Sequence, residues 1–217
     1  PNDILATSYI NTIINNNYNI KPYGIKRTND YHGKDITNIS SASAIRNAIF
    51  NNVDYKESIP KNVDKYISNI KIDDYFDLIK YKILSCSNLS IYHDCKEGID
   101  KRFKEYITKS NTLEEFISLV KTKRYTYSRI KRILLYILLD IKNDYVPTCY
   151  VRLLGFNKVG RKYFKSIKDD ITLPIVNNYS SNKELLSLEY KANSIYALKT
   201  NDVNKTIDLE LNKIIEK

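Results

Sequence analysis

Tyr127 to Lys142 reads YSRIKRILLYILLDIK, and its spacing decides the fold class. At about 100° per residue, Ile130, Ile133, Leu134, Ile137, Leu138 and Ile141 share one face, while Arg129, Arg132 and Tyr136, with Tyr125 just ahead of them, line the opposite one. Such a segment is an amphipathic helix, with one face to pack and the other free to meet a ligand. The same period extends outward, predicting helices near 61–69, 73–86, 97–108 and 112–121 joined by short polar links. Asn111-Thr112 followed by Glu114 and Glu115 supplies a capping oxygen and acids for a first helical turn. Beyond Pro147 the pattern changes. Cys149–Leu154 and Thr172–Val176 read as extended runs, with helices near 158–168 and 182–198. On the other side, residues 1–57 read as α/β: a helix over Ile4–Ile14, an extended run over Ile20–Ile25, and a helix beginning within Ser40–Phe50. The expected fold is mixed and mainly α-helical. Its expected boundary lies in the polar stretch Asn51–Pro60, dividing an α/β part at 1–57 from a mostly helical part at 58–217.

With 217 residues, 42% of them hydrophobic, the chain can bury a real core, which argues against disorder as a whole. The longest apolar run, Ile133–Leu139, is seven residues with a tyrosine inside it, against the roughly 20 that a membrane span needs, so no membrane segment is expected. Residue 1 is proline and no charged-then-apolar leader follows, so the sequence is expected to be a fragment without a signal peptide. Cys86, Cys95 and Cys149 are odd in number and match no zinc spacing, and only His32 and His93 could assist them. Reduced thiols in a cytoplasmic protein, and no protein-bound metal, are the expectation.

The net charge of +10 is ambiguous, because Lys, Asn, Ile and Tyr are the residues favoured by AT-rich codons. Arginine is more telling. Six of the eight (Arg102, Arg124, Arg129, Arg132, Arg152 and Arg161) lie between positions 102 and 161. From Lys96 to Lys168 there are 18 basic and 7 acidic residues, an excess larger than that of the whole chain, so the charge is localised as a nucleic-acid footprint would be. Lys121, Lys123, Arg124, Arg129, Lys131 and Arg132 put six cations into twelve residues without an acid. Arginines interleaved with tyrosines suit phosphate contact and stacking on unpaired bases, whereas the bland reading is a solvated basic face. Arg152, Lys158 and Arg161 would extend the same surface.

Ser40-Ser41-Ala42-Ser43-Ala44-Ile45-Arg46 sets hydroxyls at a helix start with an arginine about one and a half turns in. Unpaired amides and the helix dipole favour an anion there, so the segment reads either as a phosphate site or as a plain serine cap followed by a surface arginine.

The segment resembles the serine-rich signature that closes the active site of HIGH-superfamily nucleotidyltransferases. The chain is similar in particular to the tRNA(Met) cytidine acetate ligase family. Residues Pro1–Leu5, Lys21-Pro22-Tyr23 leading to Lys26-Arg27, Tyr31-His32, Ser40–Arg46, Glu97-Gly98, Val120–Thr126, Arg152–Asn157 and Ala192–Leu198 carry the match in order. The resemblance implies that ATP, with Mg accompanying the nucleotide, and acetate form acetyl-adenylate. The acetyl group then passes to the exocyclic amine of the wobble cytidine in elongator tRNA(Met). It implies nucleotide contacts at Asn2, Arg27, Thr28, Ser40, Ser41 and Arg46. Thr28 stands where the family more usually has Ile, a change that a backbone contact tolerates. Arg27 also follows the predicted extended run, where a strand end in a parallel sheet meets nucleotides. The tRNA surface is expected at Lys121, Lys123, Arg124, Arg129, Arg132, Arg152, Lys158 and Arg161. The family's His-containing phosphate loop has no counterpart here, so the catalytic residues are unassigned and the chain alone is expected to be inactive. The whole is expected to be a Rossmann-like remnant joined to a helical tRNA-binding domain. The alternatives are a stand-alone RNA-binding domain and a nucleotidyltransferase acting on a small cofactor precursor.

Overall fold

The computed structural model describes residues 4–26, 28, 33 and 35–216, and divides into two compact units, residues 1–69 and 70–217. The expectation of a mixed, mainly helical chain holds.

In the first unit, α1 (Ile4–Asn15) and α2 (Ala42–Phe50) are joined by irregular backbone. Ile20–Ile25, expected to be extended, pairs with no strand among the described residues. Pro22 offers no backbone donor there, and a strand needs a neighbour for the donors that remain. The helix expected over 61–69 is also absent. Single 3₁₀ turns at Lys56–Ser58 and Asp64–Tyr66 occupy that region, and Asn62 sits in left-handed backbone (φ 70°), which interrupts any helix.

The second unit is built on α3 (Phe76–Ser85), α4 (Ile99–Ile107), α5 (Leu113–Val120) and α6 (Tyr127–Leu138). Their apolar positions fall at helical spacing, and every one of Ile79, Ile83, Ile99, Phe103, Ile107, Phe116, Ile130, Ile133, Leu134 and Ile137 is fully buried in one core. Phe116 sits between two rings, 6.0 Å from Phe76 and 5.4 Å from Phe103 between centroids, in tilted geometry. Thr112 caps α5 as its sequence predicts, accepting from the Glu115 amide, while the Glu115 carboxylate accepts from the amide of Asn111.

α6 stops at Leu138, four residues short of the expected end. The Ile141 amide donates to Tyr136 O (2.8 Å) and the Asp140 amide to Ile137 O (3.2 Å), a Schellman closure with Asp140 at φ 55° where glycine is usual. Aspartate holds this position because its carboxylate accepts from Lys82 and Lys191, both at 2.7 Å, and from the Tyr92 hydroxyl at 3.2 Å, so one side chain links α3, α6 and α8 (Ser187–Ala197).

The expected extended runs shrink to residue pairs. β1 (Val151–Arg152) pairs in parallel with β3 (Ile175–Val176), with α7 (Lys158–Ile167) in the crossover, and β2 (Gly155–Phe156) pairs in parallel with β4 (Ile215–Glu216). A Cβ at Gly155 would lie 2.8 Å from Ile215 O, so only glycine permits that pairing. α9 (Val203–Leu211), capped by Asp202, packs on α8 and was not foreseen, nor was β4. No described helix is long and apolar enough to cross a membrane.

Candidate functional site

In the first unit, the hydroxyls expected to face a phosphate are held by protein. Ser41 caps α2 as expected, but its Oγ accepts from the Ala44 amide (3.0 Å) and donates to Gly33 O (2.7 Å), and the residue is buried. Ser40 Oγ donates to Thr37 O (2.8 Å), accepts from the Thr37 amide (2.7 Å), and lies 3.0 Å from Ser58 Oγ. What the helix end retains is the amides of Ala42 and Ser43, which have no acceptor within the helix. An open depression of about 630 Å³ beside it is lined by Thr28, Gly33, Asp35, Thr37, Ser40 and Ser41, among others. Arg46 is exposed, donates to Ser43 Oγ at 3.4 Å, and is not part of that lining. Asn2, Arg27 and His32 lie outside the described residues.

In the second unit, Lys121, Lys123 and Arg124 are exposed on the link between α5 and α6. Thr122 shapes that link: its hydroxyl accepts from the amides of Arg124 (3.2 Å) and Tyr125 (3.1 Å), and its amide donates to Tyr125 O. Tyr125, grouped by helical phase with the outward face, is instead buried, its hydroxyl donating to Glu97 O. Phase misleads here because Tyr125 precedes the cap Thr126 and so is not on the helix. Arg129 forks onto Asp94, with Nε 3.1 Å from Oδ2 and Nη2 2.7 Å from Oδ1, and lies 3.8 Å from Glu97. Arg124 pairs with Glu97 at 2.9 Å. Tyr136 meets His93 edge-on at 5.1 Å.

The other arginines of the cluster are also engaged. Arg102 donates to Val120 O and Leu119 O, capping the C-terminus of α5. Arg152 reaches Glu189 and Glu210 O, and Arg161 pairs with Glu216 over the Phe156 ring. Lys158, at the first position of α7, is exposed. Among the described residues, Arg132 is the one arginine of the six whose side chain makes no hydrogen bond or ion pair, and it is exposed.

The hydrogen bond from Arg129 holds the Asp94 carboxyl below the usual carboxylate range despite partial burial. Burial pushes the Cys95 thiol up to about 12, so it stays neutral and unreactive at ordinary pH. The described residues contain no group of side chains able to hold a metal ion. Sequence reasoning missed Asp94 and Asp140 as partners of the cations. No spacing rule links residues 35 and 58 positions from their partners, and for Glu97 the only signal was its place in the Glu97-Gly98 match.

The HIGH Nucleotidyl Transferase family matches residues 1–210. The chain belongs to that family. Within it, the chain is 38% identical over 231 residues to a tRNA(Met) cytidine acetate ligase of Clostridium perfringens, covering 99% of this chain and 57% of the relative. A ligase of the same name from Clostridium acetobutylicum is 38% identical over 228 residues, covering 95% of this chain and 56% of the relative. The apo form of Thermotoga maritima TmcAL superposes with a TM-score of 0.82 at 23% identity, and TmcAL bound with alpha-thio ATP with 0.78 at 24%; each match covers all of this chain and 60% of the other. This HIGH nucleotidyltransferase chain thus spans under two thirds of the length of these relatives.

Proposed function

We propose that the chain is part of an ATP-using ligase that acetylates tRNA(Met), cytoplasmic like other tRNA-modifying enzymes. Residues 1–57 would be the remnant of a Rossmann-like nucleotide-binding domain and the helical remainder the tRNA-binding part. The observation that carries this reading is 38% identity to a named ligase along 99% of the chain. An ATP analogue bound to a structural relative supports the nucleotide; Mg would accompany it as its counterion.

In the proposed reaction an acetate oxygen attacks the α-phosphorus of ATP and the bond to pyrophosphate breaks, leaving acetyl-adenylate. The cytidine N4 amine then attacks the acetyl carbonyl carbon, AMP leaves with the bonding pair, and the amine gives up a proton, forming N4-acetylcytidine. The free amides at the start of α2, with Asn2, Arg27, Thr28, Ser40, Ser41 and Arg46, would face the nucleotide. Given the hydroxyl bonding described above, Ser40 and Ser41 would act by shaping the helix end rather than by touching phosphate. Lys121, Lys123, Arg124 and Arg132 would meet the phosphates of tRNA. Arg129 would brace this surface, and Arg152, Lys158 and Arg161 would extend it.

The test is Arg46→Ala in the protein at the length of its relatives. Pyrophosphate exchange with acetate should fall about 10²-fold, the scale of losing one positioned donor to developing charge, while tRNA affinity stays within about threefold. Unchanged exchange with weakened tRNA binding would assign the Ser40–Arg46 segment to the RNA surface instead.

A further inference from the structure

Between Tyr92 and α4 the chain takes left-handed backbone three times in five residues, at Asp94 (φ 57°), Glu97 (φ 63°) and Gly98 (φ 95°). Glycine enters that region without strain, but aspartate and glutamate persist there only where neighbours over-determine them. The neighbours are the Arg129 fork on Asp94, the buried Cys95, and the Tyr125 hydroxyl on Glu97 O. Held this way, the Glu97 carboxylate sits between Arg124 at 2.9 Å and Arg129 at 3.8 Å.

The two ion pairs of this loop differ in kind. Arg129–Asp94 is bidentate, with side chains 23% and 34% exposed. Arg124–Glu97 is a single contact, with side chains 60% and 49% exposed, the kind of pair that water and salt weaken most. We propose that Glu97–Arg124 is a displaceable latch: an RNA phosphate takes Arg124 from Glu97 while the Arg129–Asp94 fork stays closed. The proposal rests on the tRNA-binding reading above. A phosphodiester accepts both arms of a guanidinium and releases counterions on binding, so it competes well with one exposed carboxylate. Glu97 is not stranded when Arg124 leaves, because Arg129 remains within 4 Å of it. Lys121 and Lys123, exposed beside Arg124, draw the phosphate to this point. Glu97 therefore sets how tightly the surface holds RNA.

A double-mutant cycle on the protein tests this, with an unmodified transcript of elongator tRNA(Met) as the probe. Glu97→Gln should tighten binding about two- to fivefold, the range of an exposed pair removed from competition. Arg124→Ala should weaken it several-fold, and Glu97→Gln should have no effect in the Arg124→Ala background. An affinity unchanged by Glu97→Gln, at an unchanged melting temperature, overturns the latch. So does a tightening that persists without Arg124, since Glu97 would then merely subtract charge. Glu97→Asn, which left-handed backbone accepts readily, carries the same expectations should the Gln variant fold poorly. If replacing Lys121, Lys123 and Arg124 together leaves affinity untouched, the RNA reading itself falls, a result distinct from failure of the latch alone.

Discussion

The two units contain the same kinds of apolar residue and use them differently. In the first, α1 buries none of its twelve residues and α2 buries only Ala44 and Ala48, while Ile4, Leu5, Tyr9, Ile14, Tyr23 and Ile25 are all more than 60% exposed. In the second, α3 to α6 converge on a core in which large side chains are fully covered. Hydrogen bonds among Thr37, Ser40 and Ser58, and from Ser41 to Gly33 O, hold the first region, and apolar burial holds the second. Burial is a property of the faces that meet, not of the helix that carries them.

The largest test of that contrast is a pair of truncations followed by denaturant unfolding. Phe103→Ala should cost about 3–5 kcal/mol through the cavity it leaves, and Ile14→Ala should stay within about 0.5 kcal/mol. Equal losses would mean that α1 is as much a part of the cooperative core as α4. A second pair sharpens the contrast within α6. Arg129→Ala should destabilise the fold by about 1–3 kcal/mol, because Asp94 is left half-buried without its fork, and Arg132→Ala should be near neutral. Equal effects on stability would remove the distinction between a bracing and a free arginine.

The smallest effect concerns Asp140. Burial opposes its charge, but the hydrogen bonds from Lys191 and Lys82 outweigh it and lower its pKa to about 2. A folded pKa below the unfolded one contributes stability above the unfolded pKa, near pH 4, that is lost as the pH falls towards 2. For a side chain 30% exposed, solvent screening leaves about 1–2 kcal/mol. Asp140→Asn should therefore flatten the stability curve between pH 4 and 2. Parallel curves for the two proteins would show that the carboxylate does not hold α3, α6 and α8 together.

The helices of the core were legible because their apolar residues recur at helical spacing and because a cap such as Thr112 is local. Ile20–Ile25 has no strand partner among the described residues and the helix expected at 61–69 is absent, because a short apolar run forms a strand or helix only when something pairs or packs with it. α9 was missed although Asp202 marks its start, its apolar face being too short to stand out. The cluster of arginines was legible as a cluster, but its meaning was not. Five of its six members are used inside the protein, on α5, Glu97, Asp94, Glu189 and Glu216.

The sequence alone determined the helical class, the amphipathic α6, the serine cap of α2 and the family resemblance, because all of these are written in local spacing or in ordered short motifs. Only the tertiary structure decided that Tyr125 turns inward, that Asp140 rather than glycine closes α6, and which cations remain free. Those outcomes depend on which partners lie within about 4 Å in space, and residues 27 to 58 positions apart come that close only after the core has packed.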